Sequence, residues 1–175
     1  MLKSTVEKAI NKQINAELWS SYLYLSMSSY FESISFSGFA NWMLMQAQEE
    51  VNHAMRLYNF VIERGGRVIL DAIDAVPTEW KSALNAFEET YKHEQKVTKL
   101  IEELTDVAEK EKDRATVNML QWFIDEQVEE EASADEIVQK LKLVGDKGSG
   151  LFMLDKELGS RVYTGDITAR QTQDE

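Results

Sequence analysis

Four glutamates and one histidine carry the chemistry open to this sequence. In "QAQEEVNHAM", Gln46 to Met55, Glu50 and His53 stand three residues apart, a spacing that turns both side chains to one side of a helix. Met43, Ala47, Ala54, Leu57 and Val61 fall on the same side, so the pair belongs to an apolar seam. Glu17 interrupts a similar seam of Ile10, Ile14, Ser21, Tyr24, Ser28 and Phe31. Glu94 lies among Leu84, Phe87, Tyr91, Thr98 and Ile101, and Glu130 among Leu120, Phe123, Gln127, Ala134 and Ile137. Each seam is apolar towards its ends and ionisable near its middle. Burying an uncompensated carboxylate costs on the order of several kcal/mol. Such groups therefore share protons or hold cations. Carboxylate oxygens with one imidazole suit Fe(II), Mn(II) or Zn(II) better than a soft metal. Two metals bridged by a shared carboxylate would balance the charge and could bind O2 between them. The competing reading is a buried network of protonated carboxyls.

The elements that must position these groups are helices, because the apolar residues recur in steps of three and four. The first helix is expected from Ser4, with Ser4 and Glu7 as a capping box, to about Glu32. After "SISFSG" a second runs to Arg64, with Gly65-Gly66 as a left-handed cap. "RVILDAIDAVPTEWK", holding the one proline, Pro77, forms a long connection. A third helix spans about Ser82 to Lys110, and a tight turn at Lys112 leads to a fourth, capped by Asp113 and ending at Val144. "LFMLDKELG" makes a short fifth helix. A domain over residues 1–160 and a polar tail over 161–175, of a composition that favours disorder, complete the division. Short, long and short connections fit an all-α, antiparallel four-helix bundle with one long crossover and a short fifth C-terminal helix. In such hairpins Glu17 and His53 are equidistant from Ser35, inside the first turn. Glu94 and Glu130 are equidistant from Lys112, inside the second. All converge on one layer.

Composition sets outer limits. The 175 residues suffice for one domain with its own core. With no cysteine, disulfides, thiolate metal sites and cysteine nucleophiles are excluded. A net charge of −12 argues against nucleic acid as partner, since that binding rests on Lys and Arg neutralising phosphates. No apolar run approaches the ~18–20 residues of a membrane span, and "MLKSTVEKAI" lacks a secretory apolar region. A cytoplasmic protein is expected. Trp19, Leu23 and Tyr30 on the first helix, and Trp42 and Phe60 on the second, lie away from the seams, and their apolar area is expected to mark subunit contacts. His93 is expected at the surface.

"NAELWSSYLY", "QAQEEVNHAMRL", "ETYKHEQ" and "LQWFIDEQVEEE" together resemble, in order and spacing, the site-bearing segments of the non-haem bacterial and archaeal ferritins. That resemblance spans nearly the whole chain. It implies cytosolic iron storage in a hollow shell of twenty-four identical subunits. Each subunit would oxidise Fe(II) with O2 or peroxide at a ferroxidase centre inside its bundle, and the ferric product would mineralise in the cavity. On this pattern Glu17, Glu50 and His53 hold the first iron, with Glu50 bridging, and Glu94 and Glu130 complete the second. Gln127 stands beside the second iron as a hydrogen-bonding residue. Tyr24 matches a tyrosine thought to donate an electron. Glu49, Glu126 and Glu129 match a third, outer iron site; by their helical position alone they fit a solvated acidic face equally well. Haem is not expected, because Val51 replaces the ligating methionine of bacterioferritins and Gln127-x-x-Glu130 replaces their second Glu-x-x-His. Two other functions remain open on the residues alone. One is oxidase or peroxide-scavenging chemistry in a small di-metal oligomer, the other a helical interaction module with protonated glutamates.

Overall fold

A computed structural model describes residues 2–145 and 148–163. It contains α1 (Ser4–Ser33), α2 (Ser37–Glu63), α3 (Ala83–Lys110), α4 (Arg114–Val144) and α5 (Ser149–Leu158), and no strand among the described residues. Helix α1 pairs with α2 and α3 with α4, α1 also lies against α3, and α5 docks on α2 and α4. The all-α four-helix bundle with one crossover and a fifth helix is the architecture found. No described helix is long and apolar enough to cross a membrane. Most of the expected tail, residues 164–175, lies outside the described residues.

Local chemistry explains most of the boundaries. The Ser82 hydroxyl accepts from the Asn85 N–H at the start of α3, and Asp113 accepts from the Thr116 N–H at the start of α4. Helix α2 stops where Gly65 takes φ +72°, and the N–H groups of Gly65 and Gly66 close back on the carbonyls of Ile62 and Val61. Only Gly65 is left-handed. A Cβ on Gly66 would instead meet the Glu7 carboxylate at 2.5 Å. The expected capping box at Ser4 does not form. Lys3 is the cap residue, without a side-chain bond, because the Glu7 carboxylate accepts from the Arg67 N–H at 3.1 Å.

The crossover lies along the outer side of α1. Asn11 donates to the Arg67 carbonyl and accepts from the Ile69 N–H, Asn15 donates to the carbonyls of Asp71 and Ala72, Ser26 to Pro77, and Tyr30 to Trp80. Part of the off-seam apolar area expected at subunit contacts is covered within the chain. Leu23 is buried, and Trp19 and Tyr30 are half-buried with Trp80 in the same apolar cluster. Trp42 is buried under the Arg161 guanidinium, and Arg64 covers Phe60. The chain itself buries Leu23 and Trp42 and leaves Trp19, Tyr30 and Phe60 partly exposed.

Two apolar clusters fill the bundle. One holds Tyr24, Met27, Phe31, Phe39, Phe87 and Leu141 and receives Leu151, Leu154 and Leu158 of α5. The other holds Val6, Ile10, Leu57, Ile101, Leu120 and Phe123. Between them lies a layer of buried polar side chains.

Candidate metal centre

That layer contains Glu17, Glu50, His53, Glu94, Gln127 and Glu130, all buried. One ligand atom from each of Glu17, Glu50 and His53 falls within 4.8 Å of the others, and His53, Glu126 and Glu130 form a second such group. His53 is common to both. Its Nδ1 stands 3.4 Å from Glu50 Oε2, and its ring is walled by the edges of Trp122 and Phe123 at 5.4 and 5.9 Å. Among the described residues no Cα of α2 comes within 8 Å of one of α4. The space between those helices is bridged by side chains.

Hydrogen bonds aim the carboxylates. Gln13 donates to Glu17 Oε1 at 2.8 Å, and Gln46 donates to Glu130 Oε2 at 2.7 Å. Tyr24, fully buried, donates its hydroxyl to Glu94 Oε1, and Gln127 donates to Glu94 Oε2 at 3.3 Å. Glu94 is thereby held on both oxygens, and it belongs to neither compact group. Glu17 Oε2 and Glu50 Oε2 are buried with no hydrogen-bond donor, which in a dry interior is costly unless a cation or a proton satisfies them.

The electrostatics agree. Burial, then repulsion from Glu94, Glu17 and Glu130, raises Glu50 well above the ordinary carboxylate range. Burial pushes Glu94 up to about 7, although the bonds from Tyr24 and Gln127 oppose it. Burial and the charge of Glu94 push Glu130 up to about 8. The Tyr24 phenol is raised by burial and by the carboxylates of Glu94 and Glu50. Without cations this layer favours protons; divalent cations would compete for the same oxygens.

The three outer glutamates separate. Glu126 is half-buried and reaches the group containing His53 and Glu130. Glu49 is also half-buried, but its carboxylate accepts from Arg161 at 2.6 Å. Glu129 is exposed.

His93 corrects the surface expectation. Its Nε2 lies 2.7 Å from the Ser20 hydroxyl and its ring packs against Trp19 and Tyr24. Burial, with help from Lys96, lowers its pKa to about 4 and keeps it neutral. Gln13 and Gln46 were missed by pattern reading. Both carried a signal, since each sits four residues before a seam glutamate. Arg161, from beyond α5, carried none.

A carboxylate-rich layer buried at mid-bundle, shared by four helices, narrows the possible families. A model of the ferritin-like domain matches residues 7–144. The chain belongs to the ferritin family. It is 51% identical over 161 residues to the bacterial non-heme ferritin of Bacteroides fragilis, covering 92% of this chain and all of that one. The Staphylococcus aureus bacterial non-heme ferritin is 36% identical, with 93% and 98% covered. Among solved structures, a closed form of the Archaeoglobus fulgidus ferritin made by site-directed mutagenesis superposes with TM-score 0.93 at 55% identity, covering 94% of this chain and all of that one. The open-pore ferritin of the same archaeon gives 0.91 at 56% identity, with 93% and 100% covered. Membership of the ferritin family supports iron storage and iron as the metal handled here.

Proposed function

We propose that this ferritin detoxifies and stores iron by oxidising Fe(II) at a di-iron ferroxidase centre within each subunit, with O2 or peroxide as oxidant. The observation that carries the proposal is the pair of buried, donor-free carboxylate oxygens of Glu17 and Glu50 beside His53. Glu17, Glu50 and His53 hold one iron, and Glu50 extends to a second completed by Glu94 and Glu130. Iron is the substrate. Each Fe(II) gives up one electron, the two electrons reduce one O2 to peroxide, and hydrolysis of the ferric product releases protons.

The chain's own residues set this up. Gln13, Gln46 and Gln127 fix the carboxylate oxygens with donated hydrogen bonds, and such outer partners preserve ligand geometry. The low-dielectric layer makes two dications favourable where four carboxylates repel one another. Tyr24 is placed to give up an electron while its phenolic proton passes to Glu94, which already accepts it. Glu126, with Glu49 and Glu129 beyond it, provides an outer site on the way from the centre.

The ferric product collects inside a shell of twenty-four subunits in the cytoplasm. Haem has no part in this reading. Exposed Tyr22, Leu25 and Ile62 on the bundle, with Ile69, Leu70 and Ile73 on the crossover, supply apolar area for contacts between copies.

Stopped-flow oxidation of Fe(II) tests the centre. Glu50→Ala is expected to slow the fast phase more than about 100-fold, beyond the 10–100-fold typical of a supporting residue, with helix content unchanged. A wild-type rate in that variant contradicts the assignment.

A further inference from the structure

Arg161 reaches the site from outside the four-helix bundle, and its path is fixed at several points. Asp155 Oδ1 accepts from the N–H groups of Gly38 and Phe39 at 2.9 and 3.0 Å, tying α5 to the start of α2. Asn41 donates to the Arg161 carbonyl at 3.0 Å. From there the guanidinium lies 4.6 Å from the centre of the Trp42 ring, and Nη2 donates to Glu49 Oε2 at 2.6 Å. Nη1 is buried without a hydrogen-bond partner. Glu49 directly precedes Glu50 on α2, and the outer carboxylate Glu126 falls in the group with His53 and Glu130.

We propose that Arg161 is a built-in counter-cation for the outer acidic site, holding the Glu49 carboxylate until a divalent cation displaces it. This deepens the di-iron reading and rests on it. A metal ion bonded to Glu49 draws off the electron density that this carboxylate offers to the guanidinium at 2.6 Å, which weakens the ion pair. The two cations also repel across a half-buried site where screening is weak. Entry of a metal at Glu49 therefore breaks both the ion pair and the stacking on Trp42. The outer site fills after the Glu17–Glu50–His53 site and more weakly, and its filling loosens the segment after α5. Arg161 acts here as a positioning residue: it touches Glu49, not the metal.

Calorimetric titration of the metal-free, full-length protein with Zn(II) tests this, because zinc takes the same oxygen and nitrogen donors without oxidation. In Arg161→Gln the weakest class of zinc site should tighten by about tenfold, the effect of losing a competing ion pair worth roughly 1 kcal/mol or slightly more, while the tight sites stay unchanged. Arg161→Lys, which keeps the charge, should remain within about threefold of the wild type. Hydrogen exchange at residues 159–163 should quicken on zinc saturation of the wild type and be fast without zinc in Arg161→Gln. An unchanged or weakened outer site in Arg161→Gln overturns the counter-cation role and leaves the tight site standing. Absence of any zinc binding by the wild type overturns the di-metal reading and this role together.

Discussion

Glu130 shows how a single side chain here is poised between a proton and a metal. It is buried, receives one hydrogen bond from Gln46, and is pushed up to about 8 by burial and by Glu94. In the unfolded chain a glutamate titrates near 4.3, roughly its model-peptide value. The folded state thus binds this proton more tightly than the unfolded state. The resulting stability is fully present below the unfolded value and is lost as pH rises through the folded one. Glu94, at about 7, adds with the same sign. Thermal unfolding of the metal-free protein should therefore show a falling Tm between about pH 5 and pH 8, a loss on the order of a few kcal/mol. Glu130→Gln should flatten that slope, and Zn(II) should reverse it, because metal and proton compete for the same oxygens. A flat profile in the metal-free wild type would contradict the buried, proton-sharing layer. Gln46→Leu should cost about 10–100-fold in metal affinity or oxidation rate, read by zinc titration or stopped-flow. The four seam glutamates and His53 were legible because the seam period and the distance from each turn together fix depth. Gln46 was legible in principle, as the step from Met43 to Glu50 passes through it. His93 was not. Its neighbours Trp19 and Tyr24 lie on another helix, and nothing local says how closely α1 and α3 approach.

Among the elements, α5 is the one whose placement matters beyond packing. Phe36, the residue before α2, offers no side-chain cap, and Asp155 of α5 supplies one across the interface. The helices approach closely because residue 38 is glycine: a Cβ there would lie 1.6 Å from the Asp155 carbonyl oxygen. Asp155→Ala should cost about 1 kcal/mol, the usual worth of a cap. Gly38→Ala should cost about 1–3 kcal/mol through overpacking. Both should speed hydrogen exchange across α5, and a wild-type Tm and exchange pattern in either variant would count against this clamp. Helix ends read correctly where the cap is local, as at Ser82 and Asp113. At Ser4 the local signal misleads, because Glu7 is claimed by Arg67 from the connection after α2. Local pattern likewise gives no sign that Leu23 and Trp42 are buried, because their coverage depends on the paths of the crossover and of the segment after α5, which no periodicity specifies.

At the scale of the whole molecule, the described subunit leaves apolar side chains exposed on one side of α1 and along the crossover. Tyr22 is 52% exposed, Leu25 45% and Leu70 59%, more than a monomer gains from leaving in water. Identical chains meeting through such a face would form the wall of a closed shell. Leu25→Arg should then shift the particle to smaller species in size-exclusion chromatography, with the helical content retained. In the proposed function that shell works together with the carboxylate layer inside each bundle. The most direct test adds Fe(II) in air to the metal-free protein and records iron and protein together through a size-exclusion column. The proposed function predicts iron coeluting with a large multi-subunit particle, in amounts far above what the carboxylate sites alone could hold. Only a few irons per chain on a small oligomer, or iron that elutes apart from the protein, would contradict it.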